Sequence, residues 1–259
     1  DGNTAIGTNA MYYTTTGGFN TAVGDGSMLN NTTGYWNTAI GWNALYLNTT
    51  GYRNTVLGYR ALVQNTTGSF NTAIGDDAME SNQTGSENIV VGGSALNANT
   101  TGNRNVAIGW QALAFNTTAT GNVALGYQSM HDNTTGENNT ASGYWSLKSN
   151  IVGQSNTGFG YKALESNSNG NRNSAYGAFT LDSATGSFNS AFGANSLKNL
   201  KIGNSNSAFG ESSLAGIRTG VGNTAIGVAS MLHFNFYVFL CVVYRLFGIF
   251  NLEAKLVFH

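Results

Sequence analysis

The chain has 259 residues, of which 41% are hydrophobic and only 9% charged, with 11 Lys plus Arg against 12 Asp plus Glu for a formal net charge of -1. That is enough apolar mass to bury a core, but there is no basic stripe to neutralise phosphates, so nucleic acid is not an expected partner. The single Cys241 excludes an internal disulfide framework.

The chain opens inside a repeat, at Asp1-Gly2-Asn3-Thr4, without an initiator Met or a leader, which is expected of a fragment or a processed product. Asn3 is followed four residues later by Gly7, and the pair recurs at Asn20/Gly24, Asn37/Gly41 and onward to Asn223/Gly227, in fourteen copies 17 residues apart with one 16-residue step from Gly177 to Gly193. A period held this long means that each unit buries its apolar side against its neighbours, so function is expected along a surface rather than in a pocket. One unit runs Gly34-Tyr35-Trp36-Asn37-Thr38-Ala39-Ile40-Gly41-Trp42-Asn43-Ala44-Leu45 and on to Asn48-Thr49-Thr50. Two glycines per unit would cost a helix about 1 kcal/mol each, whereas they suit tight bends between short strands. The Thr-Ala-Ile segment has the length and branching of a strand, and the period is too short for paired helices. The fold class predicted is all-β: a parallel β-solenoid of about fourteen coils over residues 1–231.

Two columns are expected in the dry interior. One is the residue before the motif glycine, as at Ile6, Ile40, Ile74 and Ile108; the other is the Leu or Met four residues after it, as at Met11, Leu45, Met79 and Leu113. Alternation along the strand then turns Ala39, Ala73 and Ala107 outward, to a homo-oligomer contact or to a surface that makes no demand. The Asn column is expected to form a structural hydrogen-bonded ladder.

Asn3-Thr4-Ala5-Ile6-Gly7, Asn105-Val106-Ala107-Ile108-Gly109 and Asn223-Thr224-Ala225-Ile226-Gly227 resemble the head repeats of YadA-like trimeric autotransporter adhesins. Similar units look like those of phage tail fibres and bacterial surface proteins. The resemblance spans residues 1 to about 231 and implies a left-handed β-roll, a homotrimer, and attachment at a cell or virion surface. The 17-residue unit is longer than the family's usual repeat, Thr commonly replaces its Val, and neither a coiled-coil stalk nor a β-barrel anchor is present in the sequence.

Thr4, Thr21, Thr38, Thr55 and Thr72 begin one hydroxyl ladder, and Thr33, Thr50, Thr67, Thr84, Thr101, Thr118 and Thr135 form a second. Such ladders are what an ice-binding face needs, although Ile89, Val106 and Val123 interrupt the first; Thr also simply favours strands. Asn31, Asn48, Asn65, Asn82, Asn99, Asn116 and Asn133 each fit the N-glycosylation pattern, giving a row of glycans along one edge or merely a row of bend asparagines. Among the aromatics, Tyr35, Trp36, Trp42, Tyr52 and Tyr59 are the best candidate contacts to a glycan or protein partner, the alternative being that they cover coil edges and inter-subunit seams.

No enzyme is expected, and neither cofactor nor metal. His131, His233 and His259 sit in no recognisable catalytic motif, no Cys or His spacing suits zinc, and Asp76, Asp77 and Glu80 lack the repeat of calcium-binding rolls. After Met231 the pattern stops in mid-unit, and residues 232–259 become largely apolar. This tail reads as a cap on the open coil end, a membrane anchor, or non-native sequence. The expected function is a non-catalytic adhesin or fibre segment, extracellular or on a cell or virion surface, homotrimeric, attaching to a host surface protein, matrix or glycan. The alternatives are an ice-binding solenoid and a filament subunit that polymerises end to end.

Overall fold

The structure is a computed structural model that describes residues 2–231 and a last strand at Leu240–Val242. It is a parallel β-solenoid with coils of about 17 residues, and no helix occurs among the described residues. The chain forms two compact units, Asp1–Asn139 and Thr140–His259.

In the first unit, β1 (Thr4–Ile6), β2 (Thr21–Val23), β3 (Thr38–Ile40), β4 (Thr55–Leu57), β5 (Thr72–Ile74), β6 (Ile89–Val91), β7 (Val106–Ile108) and β8 (Val123–Leu125) pair in chain order. All are parallel and in register with the sequence period, so that Thr38 pairs with Thr21 and Thr55, and Ala39 with Ala22 and Val56. Hydrogen bonding between coils continues through the turns: Leu45 N donates to Ala61 O at 3.0 Å and Thr49 N to Thr66 O at 2.9 Å. The backbone polar groups of one coil are thus largely satisfied by the next, as buried amides require.

In the second unit, β9 (Thr140–Ser142), β10 (Thr157–Phe159), β11 (Ser174–Tyr176), β12 (Ser190–Phe192), β14 (Ser207–Phe209) and β16 (Thr224–Ile226) continue the same design, and β13 (Ile202–Asn204) pairs with β15 (Thr219–Val221) in a separate ladder. The last strand, β17 (Leu240–Val242), adds to β16 with Thr224 opposite Leu240. The rest of the tail, on which the expectations of a cap, an anchor or non-native sequence fall, lies outside the described residues. The 16-residue step leaves the strand register intact, with Ser174 opposite Ser190; the missing residue falls in the bend, where Ala184 takes the place of an Asn.

The interior differs from expectation in one respect. Met11, Leu45, Met79 and Leu113 are buried, but the residues before the motif glycine are not: Ile6 is 60% exposed and Ile40, Ile108 and Leu57 are also exposed, with Ile74 half-buried. It is Ala39, Ala73 and Ala107 that face inward, each 0% exposed. The alternation along the strand holds; the face assigned to the core is reversed. The reason is the thinness of the coil. Gly158 occupies the alanine column, and a Cβ there would meet Ser146 Oγ at 2.7 Å, Ala163 O at 3.2 Å and Leu147 Cδ1 at 3.5 Å. The opposite wall stands so close that the column holds Ala in most coils and nothing larger than Val56 and Val90, and the larger Ile is left on the outer face.

Two Asn ladders complete the core. Asn20 Oδ1 accepts from Asn37 N at 2.8 Å and from Asn37 Nδ2 at 3.2 Å, while Asn37 Nδ2 also donates to Gly51 O at 2.9 Å. In the second ladder Asn48 Nδ2 donates to Asn31 Oδ1 at 2.7 Å and to Gly51 O at 2.9 Å. Both ladders therefore converge on one bend carbonyl per coil. A Cβ at Gly51 would stand 2.4 Å from Gly68 O and 2.3 Å from Asn48 Oδ1, so close approach is what the bend glycine supplies.

The turns use left-handed backbone heavily. Asn43 (φ 51°), Leu45 (φ 55°) and Arg53 (φ 53°) do so within one coil, and their equivalents recur throughout. None of the non-glycine residues with positive φ is Val, Ile or Thr, because branching at Cβ makes this region a true outlier. This accounts for the restriction of the buried turn column to Leu and Met. Leu45→Met should cost under about 1.5 kcal/mol, whereas Leu45→Ile, of equal volume, should cost on the order of 1 kcal/mol more, as measured by chemical denaturation.

Candidate binding surface

Because the strand sends its first and third side chains outward, each unit presents a sheet face built from two parallel columns. In the first unit these are Thr21/Val23, Thr38/Ile40, Thr55/Leu57 and Thr72/Ile74, continued by Ile89/Val91 and Val106/Ile108. In the second, the outward column turns aromatic. Phe159, Tyr176, Phe192 and Phe209 stack ring on ring at centroid separations of 5.3, 4.8 and 5.0 Å with interplanar angles of 10°, 6° and 4°. No strand from β1 to β16 carries a charged residue. The Ala39, Ala73 and Ala107 column cannot be an outward contact, since it is enclosed by its own coil.

The expected glycan-contact residues divide between two corners of the coil. Trp42 and Tyr59 follow the motif glycine and stack at 5.0 Å and 11°. Tyr35, Trp36 and Tyr52 precede the motif asparagine; Tyr35 stacks on Tyr52 at 5.0 Å and 10° and meets Trp36 edge-on at 4.8 Å. Rings stacked this way spend their faces on each other and offer mainly edges to solvent, which favours coil-to-coil cohesion over stacking on sugars. The second corner is different in one respect that sequence reading missed: Arg53 lies one coil below Trp36, its guanidinium 4.6 Å from the Trp36 ring and 5.4 Å from that of Phe70. The signal was present in the period, since Phe19, Trp36, Arg53 and Phe70 occupy one column.

Elsewhere in the first unit, two arginines pair with carboxylates of neighbouring coils. Arg104 Nε donates to Glu87 Oε2 at 2.8 Å, and Arg60 engages Glu80 and stands 3.7 Å from Asp77. Burial, and then Glu80, hold the Asp77 carboxyl above its usual range against the opposing pull of Arg60. In the second unit Lys162 Nζ lies 3.0 Å from Glu165, and burial followed by Glu165 raises Asp182. His131 Nδ1 sits 2.6 Å from Asp132 Oδ1 and its ring meets Phe115 edge-on. No group of three or more metal-ligating side chains occurs among the described residues.

The glycosylation pattern is overturned as a surface feature. Asn31, Asn48, Asn65, Asn82, Asn99, Asn116 and Asn133 are each 0% exposed. In Asn48, Asn65, Asn82, Asn99 and Asn116 the Nδ2 donates both to the preceding Asn Oδ1 and to a bend carbonyl. Both amide hydrogens are committed, so no row of glycans can stand on this edge of the folded coil.

The inward alanines lead to a test. Ala73 lies between Val56 and Val90 on the adjacent coils, so Ala73→Leu has no slack to enter. It should lower stability by about 1–3 kcal/mol in a denaturation experiment, whatever the state of assembly.

No family model, no curated protein and no solved structure matches the chain.

Proposed function

We propose that the chain is a non-catalytic segment of a surface fibre or adhesin, assembled as a homotrimer of left-handed β-rolls and acting outside the cell or on a virion in attachment to a host protein, matrix or glycan. The observation that carries this reading is the uncharged outward sheet face, with its in-register columns of Thr and aliphatic residues. An apolar, regular face of this kind is what an interaction surface requires. A second copy suits it because it has the same rung spacing of roughly 4.8 Å and can set a side chain against every rung. The resemblance of Asn105-Val106-Ala107-Ile108-Gly109 to adhesin head repeats supports the same assignment.

Sedimentation velocity on the full chain should give a single species of three chains. Replacing Ile40, Ile74 and Ile108 together by Lys should reduce it to monomer while leaving the β-type circular dichroism in place. A monomeric wild type would overturn the trimer, and open-ended growth would favour an end-to-end filament. Beads coated with the chain should bind host cells or matrix, and beads that stay free would overturn the adhesive role.

A second reading is favoured by the outward direction of both Thr21, Thr38, Thr55 and Thr72 and their aliphatic partners, a flat array able to order water as ice does. It competes for the same face, so a trimer that buries the face excludes it. A few-micromolar solution should then depress the freezing point below the melting point; no measurable gap removes this reading.

A further inference from the structure

We propose that the corner formed by Phe19, Tyr35, Trp36, Tyr52, Arg53 and Phe70 binds a carboxylated saccharide, with the Arg53 guanidinium taking the carboxylate. This rests on the adhesive reading above and names the ligand class that one of its surfaces would take.

Arg53 is exposed, and its guanidinium lies near two rings, Trp36 at 4.6 Å and Phe70 at 5.4 Å. A guanidinium packed on rings spends its faces on them and keeps its N–H donors at its edge. Among the described residues none of those donors meets an acceptor within hydrogen-bond distance, and no carboxylate forms an ion pair with it. Glu87, two coils along the same column, is held by Arg104 at 2.8 Å. The corner therefore presents an oriented cation with an empty edge, and a planar, two-pronged acceptor such as a carboxylate matches that edge.

The surroundings select the rest of the ligand. Phe19 is 65% exposed and Trp36 is 47% exposed, their rings 6.5 Å apart and tilted by 34°. Tyr35 and Tyr52, stacked at 5.0 Å, carry two hydroxyls on successive coils. The exposed, unstacked rings of Phe19 and Trp36, two hydroxyls and one cation together suit a pyranose ring, with its C–H patches and its hydroxyl groups. An aliphatic side chain would instead need a closed apolar pocket. Among the described residues no cation packs on the rings of Trp42 and Tyr59 at the other corner, and Arg60 nearby is engaged by Glu80 and Asp77.

The test is titration of the full chain with a hyaluronan octasaccharide, which carries carboxylates and no sulfate, followed by tryptophan fluorescence and by calorimetry. Wild type should bind it, and the carboxyl-reduced octasaccharide should bind about tenfold or more weaker, the loss expected of a charge-assisted hydrogen bond. Arg53→Gln should lose the same factor and Arg53→Lys somewhat less, as a point charge without the fork. Arg104→Gln should bind as wild type. No binding by wild type, equal affinity for the two saccharides, unchanged affinity in Arg53→Gln, or an equal loss in Arg104→Gln would each overturn the proposal. Should Arg53→Gln fail to melt like wild type, the carboxyl-reduced ligand and Arg53→Lys decide. Beads that attach to cells while the saccharide fails sink this inference alone; saccharide binding by a chain whose beads never attach sinks the adhesive reading alone.

Discussion

Among the described residues each coil is held by hydrogen bonds to residues about one period away, and this self-stacking is the constraint from which the remaining features follow. Asn37 Nδ2 reaches Asn20 Oδ1 at 3.2 Å, and Thr38 N reaches Asn54 O at 2.9 Å. A side chain placed in such an array meets first its own counterparts, at roughly the strand spacing of a sheet. Like charges so stacked repel, whereas amides, hydroxyls and rings attract, which explains a composition in which only 9% of residues are charged. In the first unit two arginines stand next to carboxylates on adjacent coils, Arg60 over Asp77 and Glu87 over Arg104, whereas in the second unit Glu165 stands beside Asp182, whose pKa burial and then Glu165 raise.

The period, the strand position and the buried Leu or Met column were legible because each is written as a repeated residue type. The face of the strand that points inward was not. Alternation fixes that Ala39 and Ile40 oppose each other, but only the distance to the far wall decides which is enclosed, and that distance appears in the sequence nowhere except as the smallness of Ala itself. The usual preference for burying the larger apolar residue misled because the coil is too thin to hold two layers of large side chains. The left-handed turn positions were legible in principle, since Leu45 and its counterparts are never β-branched.

The candidate surface shows the same division. The aromatic residues were visible as types, but their sorting into two corners depends on where the strand lies between them. The bend asparagines carried a glycosylation pattern that described them as surface residues, while their geometry makes them internal donors with both hydrogens used. Arg53 was hidden by being ordinary in sequence; only the rings of Trp36 and Phe70 beside it give it a role.

In the second unit the second Asn ladder is carried by Asn150 and Asn167, with Asn167 Nδ2 donating to Asn150 Oδ1 at 2.9 Å, and ends there. After Asn167 its column passes through Ala184, Leu200 and Ile217, all buried, and here the neighbouring bend becomes the β13–β15 ladder. The main sheet keeps its pairing across this exchange, from Ser174 to Ser190 to Ser207. Polar and greasy fillings of that corner are therefore interchangeable parts, and a lineage can retune one edge of the molecule, or delete a residue from it, without renegotiating the architecture of the opposite side.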